Sequence, residues 1–505
     1  MSESKKEYRS IVKGTAIFGG VQVFNILIVI IRTKIIAVFL GPQGSGIISL
    51  FLSAINPIVL SSGLGLNYSS VRTLSQATEQ GDVGKLTHTV RLIRRWFWLT
   101  AGLGGVVTVI ASSWLSRVTF GSDSYRWPFI WLGLCVMVTI LGSGEIAVLQ
   151  GTRRLKLLAR ASIVGAVGGL VLTVPLVWIW RIEAVVPILV GTALIGWLVN
   201  RGFARRAVVS QPNRKHLPWR QIWDEGKDMV GLGVVFMFTN LMLAVCTYLT
   251  NLFVAHVGSV QQVGLYQSAS SMTNQYLGLI FSAMAVDYFP RLAGMAHDRM
   301  RFNQTVNQQA EITLLIALPL LVGMIVFTPL VVHILFSKQY FEAVPLIRYI
   351  CLGMILKASA FAIGYMAGGL NDKKFIWWFE GIVAIAQLLL CNIAGYWFGG
   401  LEGLGISFVL AYAIYFIEMI WIVRRRYGFS FSKQFYRLFA IAFGITVVTF
   451  ALTVVPMPVW MLYCVGGVSL IGVIRFSYKE LNDRIAIKEM IRSKFSKKAD
   501  NEIQG

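Results

Sequence analysis

TKIIAVFLGPQGSG, residues 33–46, returns at an offset near 218 as TNLFVAHVGSVQQVG, residues 250–264, with one residue inserted in the second copy. Both copies close an apolar run at a glycine-rich turn. Outward from this pair the match continues: Ser49, Ser53 and Asn56 correspond to Gln267, Ser271 and Asn274, each separated by 218. Pro128 and Pro345 each open an apolar run, and the basic turns Arg153-Arg154 and Lys373-Lys374 follow at about 220. A long-period repeat of this kind in an apolar chain signals two lobes around a central site.

Composition sets the solvent. With 56% hydrophobic and 14% charged residues, and a mean hydropathy of +0.67, the chain cannot cover itself with a water-soluble surface. Fourteen runs are long enough to cross about 30 Å as helix: 13–40, 44–66, 92–112, 127–149, 158–180, 184–201, 229–254, 264–289, 311–336, 344–368, 375–398, 403–423, 436–456 and 458–474. The basic residues then test the count, since cytoplasmic loops collect Lys and Arg. Alternating the spans puts 38 of the 46 on one side and only Arg117, Arg126, Arg181 and Lys338 on the other. Both termini are expected in the cytoplasm. The polar start with Lys5, Lys6, Arg9 and Lys13 runs into an apolar stretch too long for a signal peptide, so the first span is expected to be retained.

The fold class follows: an all-α polytopic membrane protein of about 14 transmembrane helices. Two parallel six-helix repeats form two lobes around a central cavity, with two extra C-terminal helices. The expected domains are 1–215 (spans 1–6), 216–428 (spans 7–12) and 429–505 (spans 13 and 14 with a basic cytoplasmic tail). The formal charge of +23 is spread in short clusters between apolar runs, which reads as topology and not as a nucleic-acid stripe.

Four cations remain inside the apolar runs: Arg32, Lys34, Arg348 and Lys357. Each costs several kcal/mol in hydrocarbon unless it meets a partner or a wet cavity, roughly 2.5 to 3.5 on insertion scales. Arg32 and Arg348 lie near span ends, where a long side chain can snorkel to the headgroups. Lys34 points away from Arg32 on a regular helix and is the weakest cavity candidate. Lys357 is thirteen residues into its span, about 20 Å along a helix. The triplets Ser49, Ser53, Asn56 and Gln267, Ser271, Asn274 have i, i+4, i+7 spacing and so share one helix face. Asn25 is nearly in line with Arg32, and Asn240, Thr247 and Asn251 line one face of span 7. The substrate-binding candidates are therefore Arg32, Lys357, Arg348, Asn25, Ser53, Asn56, Asn240, Asn251, Ser271 and Asn274. The same polar residues also serve membrane helices as interhelical glue. Glu145, Glu380 and Glu418 either pair with a buried cation or carry a coupling proton.

Enzymatic chemistry finds no footing. There is no Walker motif and no HExxH, the five histidines are scattered, and all five cysteines fall in apolar runs without metal-ligand spacing. No catalytic residue, metal or cofactor is expected, and transport would draw on a gradient. A basic cavity suits an anion, and the arginine fork suits diphosphate.

The segment IIAVFLGPQGSGIISLF at Ile35–Phe51, its echo ending VGLYQSAS at Val263–Ser270, and the turn GGLNDKKF at Gly368–Phe375 resemble the multidrug/oligosaccharidyl-lipid/polysaccharide exporter superfamily. Within it the likeness is to Wzx-type flippases, the O-antigen and enterobacterial-common-antigen translocases. The resemblance covers nearly the whole chain. It implies a V-shaped pair of six-helix bundles in the bacterial inner membrane. By alternating access they move an undecaprenyl-diphosphate-linked oligosaccharide from the cytoplasmic to the periplasmic leaflet. In such flippases the resemblance implies cavity cations that hold the diphosphate, and Arg32 and Lys357 are the positions here able to do so. It further implies as partners the lipid-linked oligosaccharide, membrane lipids, and the polysaccharide polymerase and chain-length machinery. Spans 13 and 14 resemble the extra pair of lipid-II flippases, where they form a groove for the lipid tail. The competing reading is an ion-coupled multidrug/cation antiporter of the same superfamily, which calls for acidic cavity residues in the N-terminal lobe, whereas the mid-membrane excess here is basic. A membrane glycosyltransferase or polymerase would need a large loop or catalytic domain, and a non-transporting scaffold would leave the buried cations unexplained.

Overall fold

The computed structural model describes residues 24–80, 82–207, 219–295, 297–456 and 458–485, and no strand occurs among them. The basic N-terminal segment, the start of the first span, the 215/216 boundary and the tail beyond residue 485 lie outside the described residues. The elements in order are α1 (24–39), α2 (Gly41–Gly63), α3 (Leu66–Glu79), α4 (Val83–Ile110), α5 (Ser112–Phe120), α6 (Arg126–Gly151), α7 (Leu155–Trp180) and α8 (Val185–Ala207). There follow α9 (Trp219–Val257), α10 (Val260–Gly294), α11 (Arg299–Leu335), α12 (Val344–Gly364), the short α13 (Met366–Gly369) and α14 (Lys373–Phe375), a π-helix (Ile376–Val383), α15 (Ala384–Tyr427), α16 (Lys433–Val454) and α17 (Val459–Ile485).

Every apolar run falls on a helix, the first from residue 24 onward. By length and apolarity nine segments among the described residues can cross a membrane, or ten if the pair Val83–Ile110 and Ser112–Phe120, bent by 61°, is one crossing. That criterion does not reach fourteen. Leu155–Ala207 and Lys373–Tyr427, of 53 and 55 residues, each contain two helical stretches. They are divided by a 3₁₀ turn at Arg181–Ala184 and by non-helical backbone at Gly399 and Gly400. α10 fails the test because Gln261, Gln262, Gln267, Asn274 and Gln275 make it too polar.

The chain forms two compact units, residues 1–267 with 334–339, and residues 268–333 with 340–505. In the first, α6 packs on α4 and α8 around fully buried Phe51, Ile93, Phe129 and Leu132. Phe51 meets Phe120 and Phe129 with ring centroids 5.1 and 5.2 Å apart. Two close approaches fix α2 by backbone contact. A Cβ on Gly46 would stand 1.9 Å from the Val260 carbonyl oxygen, and one on Gly264 would stand 1.9 Å from that of Pro42. These are the matched last glycines of the two repeated stretches, and only hydrogen fits between them. In the second unit α12 packs on α15, and Phe431 stacks on Phe435 at 3.8 Å. Trp127, Trp178, Trp397 and Trp460, each more than 60% exposed, lie near helix ends, as interfacial aromatics do.

Within each unit the backbone repeats the sequence offset. Arg153 and Asn371, 218 apart, both have left-handed φ, 55° and 56°. The next amides reach back five residues at each site, Arg154 to Leu149 at 3.1 Å and Asp372 to Ala367 at 2.8 Å, which closes the preceding helix with a Schellman-type cap. Arg181 (φ 47°, ψ −121°) and Gly400 (φ 56°, ψ −138°) form an equivalent pair. The copies differ at Leu64 and Gly65, both left-handed, where α2 breaks from α3. α10 runs unbroken through the same register.

The GGLNDKKF turn owes its composition to this cap. Asn tolerates the left-handed conformation better than other non-glycine residues, and the Asp372 side chain accepts from the Phe375 amide as the next N-cap. Asp372 also accepts from Arg426 at 2.5 and 3.0 Å and from the Tyr427 hydroxyl at 2.9 Å. The Arg426 guanidinium, with the Phe375 amide and Tyr427 hydroxyl, holds this carboxyl at about 2, below its ordinary 3.8. A depressed carboxyl contributes stability above its unfolded pKa and loses it as pH falls through the folded one. That contribution is about 2 kcal/mol, present at pH 5 and above and fading between pH 4 and 2. Asp372→Asn should lower the unfolding midpoint at pH 7, followed by tryptophan fluorescence, and should flatten its fall between pH 4 and 2; an unchanged pH profile refutes the assignment.

Candidate functional site

Lys357 sits on α12 between residues that are otherwise buried, Cys351, Met354, Ile355 and Leu356 before it and Ala358, Ser359 and Ala360 after it. Its ammonium donates to Asn274 Oδ1 of α10 at 3.2 Å and lies 5.3 Å from the Tyr412 ring of α15. No carboxylate pairs with it among the described residues. An amide oxygen and a ring face lower the cost of the charge without neutralising it, so the cation is held and left available. Asn274 itself is tied by its Nδ2 to the Ser270 carbonyl at 2.9 Å, which aims its oxygen at the lysine.

The aromatic wall continues from that lysine. Tyr412 and Tyr415 ring centroids are 6.2 Å apart, and the Tyr415 hydroxyl donates to Glu380 Oε1 at 2.9 Å. Glu380 lies in the π-helix, a form that recurs at functional positions because it displaces side chains from regular register. Tyr412 and Tyr415 were absent from the sequence candidates. Their signal was present, since a tyrosine hydroxyl within an apolar span needs a polar partner.

The remaining candidates divide. In the first unit Arg32 is half-buried on α1, and its Nε is buried without a hydrogen-bond partner among the described residues. Asn25 donates to Ser162 at 2.7 Å, and buried Asn251 accepts from Gln267 at 2.6 Å. Ser53 is buried and its hydroxyl donates to the Leu50 carbonyl of its own helix at 3.1 Å. Asn56 and Asn240 are exposed. In the second unit Ser271 is exposed, while Arg348 donates to the carbonyls of Ile325 and Thr453 at 3.3 Å each, fastening α12 to α11 and α16. Lys34 donates to the Phe336 carbonyl.

Of the acids, Glu145 is buried and accepts from Arg94 at 2.7 Å and Arg201 at 3.1 Å. Glu418 has one buried oxygen, Oε2, without a hydrogen-bond partner among the described residues. No group of three or more His, Cys, Asp or Glu that could hold a metal occurs among the described residues.

Residues 35–345 match the model of the polysaccharide biosynthesis protein family. The chain belongs to that family. A relative of the chain is the lipid III flippase of Escherichia coli (strain K12), 23% identical over 412 residues, which covers 78% of this chain and 94% of the relative. Among solved structures, the lipid II flippase MurJ in an inward closed conformation superposes with a TM-score of 0.71 at 13% identity, over 93% of this chain and 99% of that one. An inward-facing multidrug resistance MATE family transporter of the MOP superfamily gives 0.64 at 16% identity, over 80% and 95%. These structural likenesses show the fold of the chain, the all-α architecture shared with both solved transporters.

Proposed function

We propose that the protein is a lipid-linked oligosaccharide flippase. It carries an undecaprenyl-diphosphate-linked repeat unit from the cytoplasmic to the periplasmic leaflet of the bacterial inner membrane, with both termini in the cytoplasm. The observation that carries the reading is Lys357, a cation kept in an apolar helix by Asn274 and Tyr412 with no carboxylate paired to it among the described residues. A diphosphate is the counter-ion such a site lacks, and charge-assisted bonds to phosphate are the strong ones. Arg32 is its counterpart in the N-terminal lobe, and alternating access between the two lobes moves the anion. Glu380, joined to the lysine wall through Tyr415 and Tyr412, is the carboxyl best placed to couple transport to a proton. The family match and the flippase among the relatives support the same reading.

The test is transbilayer movement of a fluorescent undecaprenyl-diphosphate oligosaccharide in proteoliposomes. The native protein should move it well above protein-free vesicles. No movement of any lipid-linked glycan, with ion-coupled export of a small organic cation, would replace the proposal with an antiporter.

A further inference from the structure

Two tyrosines three residues apart on α15 differ in how their hydroxyls are met. That of Tyr415 donates to Glu380 Oε1 at 2.9 Å. Tyr412 is half-buried beside Lys357, and its hydroxyl has no hydrogen-bond partner among the described residues. It stands nine residues into the apolar run 403–423, about 14 Å along a helix, too deep for its hydroxyl to borrow a partner from the headgroups. A phenol at that depth needs a polar group brought to it, because hydrocarbon supplies none.

The Tyr412 ring is clamped. Phe408 lies against it with centroids 4.6 Å apart at 52°, and the Tyr415 ring meets it at 6.2 Å. Phe408 is itself pressed onto α12, where a Cβ on Gly353 would stand 2.6 Å from Phe408 Cδ1, so glycine leaves the room that this ring takes. Lys357 Nζ lies over the Tyr412 ring, 5.3 Å from its centroid. A phenol oxygen lies on the axis of its ring, so holding the ring fixes the bearing of the hydroxyl. The ammonium over the ring face and the hydroxyl at the ring edge therefore address neighbouring, different parts of one ligand. Phosphate oxygens only accept, which suits the ammonium. A hydroxyl donates and accepts, and in a diphosphate-linked glycan the group that does both is the sugar joined to the phosphate. One turn along α10 from Asn274, nothing lies within 4 Å of the position a Cβ of Gly278 would take, so the α10 wall is open there.

We infer that the Tyr412 hydroxyl is a specificity-determining contact for the first sugar of the carried lipid, hydrogen-bonded to a sugar hydroxyl while Lys357 holds the diphosphate. The inference rests on the flippase reading, and its test separates the two. It also assigns the two tyrosines different tasks, Tyr415 to the Glu380 carboxyl and Tyr412 to the glycan.

Equilibrium binding is measured on the full chain in detergent with two probes, undecaprenyl diphosphate and the same lipid bearing one hexose on the diphosphate. The native protein should prefer the hexose lipid about 3- to 10-fold, the range of one net hydrogen bond. Tyr412→Phe keeps the ring beneath Lys357 and should erase that preference, with affinity for the bare lipid and the unfolding temperature unchanged. Tyr412→Leu takes the ring away as well and should weaken both lipids, since the ammonium loses its aromatic face. An equal loss on both probes in Tyr412→Phe would place the hydroxyl on phosphate, and an undiminished preference would remove it from recognition. Either result overturns the sugar contact and leaves the flippase reading standing, whereas native protein that binds neither lipid ends both.

Discussion

Lys357→Ala should abolish oligosaccharide translocation, by about 100-fold or more, while folded yield and unfolding temperature hold or rise. The transport loss follows from removing a cation that can offer two or three charge-assisted bonds to a diphosphate, each about 1.5 to 3 kcal/mol. Stability moves the other way because a cationic side chain in an apolar helix, with no carboxylate paired to it among the described residues, carries a burial cost that the substitution removes. A lysine present only to bond Asn274 would give the reverse pattern, a less stable protein that still transports. Lys357→Arg keeps the charge and its place over the Tyr412 ring, and should retain transport within about 10-fold. The measurement is initial flipping rate per folded molecule in proteoliposomes, with Arg32→Ala run beside it. Full activity of Lys357→Ala ends the cationic-site argument.

Gly264→Val, and equally Gly46→Val, should eliminate folded protein. The first atom of either side chain would overlap a backbone carbonyl oxygen at 1.9 Å, and backbone cannot swing aside as a flexible side chain can. Separating the helices to admit it would cost about 3 kcal/mol or more, at the high end for single substitutions. Gly278→Ala on the same helix is the control, because nothing lies within 4 Å of the position its Cβ would take. It should be neutral or slightly stabilising through reduced chain entropy. Folded yield by size-exclusion chromatography separates the pair, and a monodisperse Gly264→Val protein with native thermal stability contradicts the close-packed crossing.

What the sequence made legible was local. Apolar runs located the long helices but not the shorter α3 and α5, and the 218-residue offset reappears in the backbone caps at Arg153 and Asn371. Lys357 could be singled out from the sequence because position along a helix is a matter of counting. Partners were not legible, since they arrive from distant helices. Glu145 meets arginines 51 and 56 residues away, and Arg348 meets carbonyls 23 and 105 away. The bonds of the repeated hydroxyls were illegible for a related reason. Ser49 and Ser53 share a helix face with Asn56, yet both donate to carbonyls of their own helix, an outcome that spacing cannot reveal.

The π-helix at Ile376–Val383 amounts to slack in an otherwise taut rod. It holds a surplus residue in the hydrogen-bond ladder, and a ladder of that kind can hand the surplus along by exchanging one set of carbonyl partners for the next. Each such exchange turns the intervening stretch by about 100° while leaving the backbone fully paired. Glu380 is inside the slack, so the bearing of its carboxylate is a matter of ladder register, adjustable without tilting or unwinding the helix that carries it.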